Sequence, residues 1–255
     1  GVTRQKEHDL RGAVECYTRA ASEGHSKAQH NLAAVYEKGG PGVTKNDAEA
    51  VRLFHLAADK GLAESCYSLA MHYKFGLGIK QDDSRCVYYL EKASEQGLAK
   101  AMFNLGLMYE KRRGVSIDAP ERDLLEVTQE CYRAAANGGI TKAAVNLGVL
   151  YLTGRLSERQ EGEAFSWFTK AADGGDLSGL WNVALCYERG VGVPADQVKA
   201  QALRLECQER EMALNIDKAK AAAASAGGGP VARRRPSIPG PTPPPPETLP
   251  SGENS

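Results

Sequence analysis

No stretch of this chain approaches the roughly 18 to 20 apolar residues that a membrane span requires, so a water-soluble protein is expected. Excess charge is missing too: 32 basic and 32 acidic residues cancel. That excludes the footprint of a nucleic-acid binder and of a basic membrane-surface protein. There is no C-x-x-C pair and no Cys/His cluster, so neither a metal nor a cofactor is expected. His8, His25, His30, His55 and His72 are scattered over the first half. The glycine pairs GLG and GVG lie between helices, not between a strand and a helix, and are no phosphate loops. With no catalytic constellation, an enzyme is not expected.

What the chain has is a repeat. A tyrosine recurs at Tyr36, Tyr73, Tyr109, Tyr151 and Tyr187, in steps of 37, 36, 42 and 36. Four residues before each stands Leu32, Leu69, Leu105, Leu147 or Val183, followed by a small residue, Ala33, Ala70, Gly106, Gly148 or Ala184. Such spacing places the tyrosine and its partner on one helix face. The small residue fits a place where a neighbouring backbone crosses closely. Glycines at Gly24, Gly61, Gly97, Gly139 and Gly175 keep the same steps and mark where second helices end. The unit is a helical hairpin.

The segments AQHNLAAVYEKG, AMFNLGLMYEK, AAVNLGVLYLTG and GLWNVALCYERGVGV, each answered by an ending such as RLFHLAADKG or SWFTKAADGG, resemble the Sel-1-like repeat. That family is an extended relative of the tetratricopeptide repeat. The resemblance covers Arg11 to about Cys207. It implies an all-α, right-handed α-solenoid of about five hairpins used as a scaffold for other proteins. The expected division is a polar segment 1–10, an isolated second helix 11–25, repeats 26–215, a helical extension 216–226 and a disordered proline-rich tail 227–255. A second helix without its partner at the start suggests a fragment or a processed form.

The loops carry glycine three and five positions after the tyrosine, as at Gly76 and Gly78 or Gly190 and Gly192, where tight turns need positive φ. Asn46, Asp82, Asp118 and Asp196 are expected to cap the second helices. The first loop has one extra residue at Pro41, Arg112 replaces a glycine in the third, and Leu156 replaces one in the fourth. The third repeat is six residues longer than its neighbours. Asp118 and Glu121 read as a capping pair that lengthens the second helix, with Arg112, Arg113 and Arg122 available to a partner.

The cysteines fall at core positions: Cys16 and Cys131 where other repeats have Leu53, Tyr89 or Trp167, with Cys86, Cys186 and Cys207 likewise matching apolar residues. Free thiols, a reducing compartment and a cytoplasmic location follow. The endoplasmic-reticulum lumen is the alternative if a signal segment precedes the chain.

For a binding face, the first helices of such stacks line the concave side. Lys27 with Asn31, Lys100 with Asn104 and Lys142 with Asn146 are spaced at i and i+4, and Asn182 continues the row. Phe103 and Trp181 stand beside it. These residues form the candidate partner-binding ladder, read either as a grip on an extended peptide or as ties between helices. In the tail, Arg233, Arg234, Arg235, Pro236, Ser237 and Pro239 resemble a 14-3-3 ligand once Ser237 is phosphorylated, and an Src-homology-3 ligand when it is not. The function expected is a non-enzymatic scaffold or adaptor for a protein or peptide. The alternatives are a subunit of a membrane-protein quality-control complex facing the endoplasmic-reticulum lumen, and a hydrolase of small molecules.

Overall fold

The computed structural model describes residues 2–40, 42–154 and 159–225. The tail from 226 onward, with its arginine and proline motif, lies outside the described residues, as do Pro41 and Leu156. Eleven helices account for nearly all of what is described. They are α1 (Val2–Ser22), α2 (Ser26–Lys38), α3 (Asp47–Ala58), α4 (Ala63–Phe75), α5 (Asp83–Ser94), α6 (Ala99–Glu110), α7 (Glu121–Asn137), α8 (Thr141–Thr153), α9 (Glu161–Asp173), α10 (Leu177–Arg189) and α11 (Gln197–Ser225). Among the described residues there is no strand, only a bridge between Gly40 and Val43. No described helix is long and apolar enough to cross a membrane.

The chain forms two compact units, residues 1–143 and 144–255, with the boundary inside α8. In the first, each helix from α1 to α7 packs on the next. In the second, α10 packs on both α9 and α11. The first unit's core is built from the positions that recur: Leu32, Leu69 and Leu105, with Phe54, Leu90 and Tyr73, are all buried. Each such side chain contributes about 2 kcal/mol by leaving water.

Second helices start where the caps were read. Asn46 accepts from the amide of Glu49, Asp82 from Arg85 and Asp196 from Lys199, each at 3.0 Å. They end on Gly24, Gly61, Gly97, Gly139 and Gly175, all at φ between +80° and +89°. Four of the loops are closed by a backbone bond: the amides of Asn46, Asp82, Gln160 and Asp196 donate to the carbonyls of Tyr36, Tyr73, Tyr151 and Tyr187 at 2.8 to 3.1 Å.

Several expectations need correcting. The segment 1–10 is not a separate piece, because α1 begins at Val2. Asp118 caps nothing; α7 starts at Glu121 behind Pro120, which holds φ at −57°. The residue before a proline is pushed out of the helical region, so no helix can run through Ala119. The helix is nonetheless longer, at 17 residues against 12 or 13 in α3, α5 and α9. At Gly106 and Gly148 the nearest neighbours are side chains and not backbone: a Cβ there would meet the rings of Tyr132 at 2.7 Å and Phe168 at 2.5 Å. All six thiols are free, with Cys66, Cys86, Cys186 and Cys207 buried, but Cys16 is exposed and fills no core position. Arg112, Arg113 and Arg122 each have partners within the chain. Arg112, at φ +52°, donates to the carbonyls of Ile117 and Ala119. Arg113 grips Asp83 with two bonds of 2.7 and 2.8 Å, and Arg122 pairs with Glu126.

Candidate binding groove on the first-helix face

Within the first unit the first helices α2, α4 and α6 bring a groove of about 380 Å³ to the surface. Its apolar part is Tyr67, Leu98 and Ile140, and its polar part is His30, Glu64, Ser68 and Lys100. The repeat explains the convergence. His30, Tyr67 and Phe103 occupy the same place, six residues before the tyrosine, and Glu64 and Lys100 occupy another, nine before it. Equal positions in successive hairpins line up in a stack.

The expected ladder is only partly presented. Lys100 lines the groove and is exposed, as are Lys27, Asn31 and Lys142. Asn104 instead ties helices together: its amide donates to the Lys100 carbonyl at 3.0 Å and the Tyr67 hydroxyl at 3.4 Å, while Lys74 donates to its oxygen at 3.1 Å. Asn146 is half-buried on α8. In the second unit Asn182 is 4% exposed and donates back to the Ser178 carbonyl at 2.8 Å. Trp181 lies under the Arg204 guanidinium, 5.3 Å from the ring centroid. Phe103 turns toward Tyr132, with 6.1 Å between rings.

Of the histidines that look scattered in sequence, His30 lines the groove, and His72 shares a ring contact with it through Phe54. His30 and His72 flank the ring of Phe54 at 5.3 and 5.5 Å. His30 Nδ1 meets the buried Ser65 hydroxyl at 2.9 Å. Burial pulls its pKa down, against the opposing pull of Glu64 and Glu37. His72 Nδ1 donates to the Leu77 carbonyl at 2.7 Å, leaving Nε2 3.5 Å from Glu37. Behind them runs a chain of polar contacts. Arg85 donates to the Tyr73 oxygen at 2.9 Å, and the Tyr73 hydroxyl also meets His55 Nε2 at 3.3 Å. His55 Nδ1 meets the Tyr89 hydroxyl at 3.2 Å. Burial lowers the His55 pKa, with Asp59 opposing and Arg85 adding to the shift.

Burial raises the thiols of Cys86, Cys131 and Cys186 to about 11, far from the thiolate a nucleophile needs. No group of three metal-ligating side chains exists among the described residues. His30 and Glu64 could have been found from their repeat positions, and so could Leu98 and Ile140, each of which directly follows the glycine that ends a second helix.

Stacked helical hairpins with a groove on the first-helix face define a repeat scaffold. The sequence matches the Sel1 repeat over residues 1–25, 26–62, 63–98, 99–140, 141–176 and 177–203, and the chain belongs to that family. Repeats of this kind generally mediate protein–protein interaction and are typically non-catalytic. A Sel1 repeat protein from Oxalobacter formigenes superposes with a TM-score of 0.70 at 24% identity, over 81% of this chain and 84% of that one. A protective antigen of uropathogenic Escherichia coli with an SLR fold gives 0.50 at 28% identity, over 77% of this chain and 48% of that one. In sequence, the DAP3-binding cell death enhancer 1 of Rattus norvegicus is 30% identical over 105 residues, which is 41% of this chain and 19% of the rat protein.

Proposed function

We propose that the protein is a non-enzymatic adaptor that holds a segment of a protein partner in the first-helix groove of residues 1–143. The observation that supports this is the groove's composition: Tyr67, Leu98 and Ile140 offer an apolar floor, and Lys100, Glu64 and Ser68 offer polar contacts at its rim. Grooves with an apolar base and few polar groups take side chains of a partner and orient them. The rat relative's name, which has it binding DAP3, supports a protein as the class of partner. Peptides selected on the full chain by display would provide the ligand. Ser68→Arg and Lys100→Glu, both away from the packed core, should then weaken binding about tenfold or more. Asn104→Ala should lower stability by about 1 kcal/mol with little change in affinity, because its bonds join helices. Selected peptides that bind both groove variants as well as the parent would overturn the reading.

The tail supports a second attachment. Arg233 to Pro239 combines a basic kinase-type sequence with a proline spacing, so phosphate at Ser237 would exchange an Src-homology-3 ligand for a 14-3-3 ligand. A peptide of residues 232–246, titrated with and without that phosphate against both domains, tests it. Equal binding by both forms would remove the switch. A cytoplasmic setting is the compartment in which six free thiols persist.

A further inference from the structure

The last helix departs from the other second helices in two opposite ways. At the positions where α3 buries Val51, Phe54 and Ala58, α11 carries Gln201, Arg204 and Gln208. Arg204 there covers Trp181 and pairs with Glu188. The face on which a further hairpin would stack is therefore polar, as expected of a capping helix. Elsewhere on the same helix the polarity is reversed. Where α3 has Ala48, Arg52, His55 and Asp59, and α5 has Ser84, Tyr88, Glu91 and Glu95, α11 carries Val198, Ala202, Leu205 and Glu209. Met212 and Ile216 continue the line. Val198, Leu205, Met212 and Ile216 are between 53% and 79% exposed.

These six residues follow steps of 4, 3, 4, 3 and 4. That is the seam of a two-helix coiled coil, and only a helix laid along it at a shallow angle meets every position. The seam runs about 27 Å at 1.5 Å per residue. Beyond Cys207 every residue whose side chain is described is exposed, so α11 leaves α10 and offers this face unobstructed. The single break in the seam, Glu209, sits near its centre and decides what fits. A parallel second copy would set Glu209 against Glu209, and an antiparallel copy would set it near Leu205 or Met212. Neither supplies a cation. A lipid surface is disfavoured as well, because insertion of the apolar face would carry Glu209 into the membrane with it.

We propose that the seam of α11 is the docking surface for one amphipathic helix of another protein, carrying Lys or Arg opposite Glu209. This surface belongs to the second unit and the groove to the first, and the proposal does not rest on the groove reading. The probes are two synthetic helices of about three heptads, leucine at the seam positions, one with Lys and one with Glu at the central position. Fluorescence anisotropy with the full chain should show saturable binding of the Lys peptide and binding of the Glu peptide about tenfold weaker. Glu209→Lys should reverse that preference, and Leu205→Asp with Met212→Asp should abolish both. Circular dichroism checks that these exposed substitutions leave the helix content unchanged. Absence of binding by either peptide, binding without charge preference, or binding that survives the double substitution would overturn the proposal. So would a chain that sediments as a dimer and becomes monomeric with Leu205→Asp, which would make the occupant a second copy.

Discussion

His30 and His55 are held neutral by their surroundings, and this has a sign that can be worked out. Burial dominates both, and the folded pKa of each lies below the ordinary 6.5. The groups facing His55 are Asp59 on its own helix, Tyr73 on α4, and Arg85 and Tyr89 on α5. A charged His55 would lose hydration on burial and stand near the Arg85 cation. The folded form therefore binds fewer protons than the unfolded chain, and stability is lost as pH falls below about 6.5. Urea titrations should show the midpoint falling between about pH 7.5 and 5.5, above the range where carboxylates titrate. His55→Gln should be less stable at neutral pH yet show a flatter slope. An unchanged slope would place the sensitivity elsewhere.

At the level of elements, the joints between hairpins rest on glycines with a second duty. A Cβ on Gly78 would lie 2.3 Å from the carbonyl carbon of Asp47, and one on Gly114 or Gly192 would lie 2.2 Å from the carbonyl oxygen of Asp83 or Glu161. In each case the loop of one hairpin sits directly on the first residue of the preceding second helix. Gly61 shares the positive φ, at +80°, but has open space around it. Gly61→Ala should thus cost about 1 kcal/mol from the backbone alone, and Gly78→Ala about 2 kcal/mol or more, because backbone must also move. Thermal or chemical unfolding of the two variants checks the difference. The positive φ was legible in the sequence, as were the caps at Asn46, Asp82 and Asp196, because each depends on a few adjacent residues. The seat on Asp47 was not, since it joins residues of different hairpins. The histidine cluster was hidden for the same reason: His30, His55 and His72 occupy three different positions of the repeat, so no periodic pattern links them.

For the molecule as a whole, the redox state and the tolerance to change are set by the same packing. Alkylation under native conditions, without reductant, should modify Cys16 rapidly and the buried Cys66, Cys86, Cys186 and Cys207 slowly. In denaturant all six should react. Linked peptides recovered from the denatured sample would reverse that assignment. The groove was less legible than the stack, because a hairpin repeat is written in every unit whereas a cavity depends on the unlike residues each unit places at one position. The loop-closing bonds from Asn46, Asp82, Gln160 and Asp196 to the tyrosine carbonyls act as rulers of loop length. In the loop between α6 and α7 the Tyr109 carbonyl is taken instead by the nearby amide of Arg112, and the segment that follows is tied back only through the exposed Arg112 side chain, not to the tyrosine. A graft of foreign sequence between Ser116 and Pro120 would leave every hairpin in register, while the same graft beside Gly78 would break a ruler and the seat it secures.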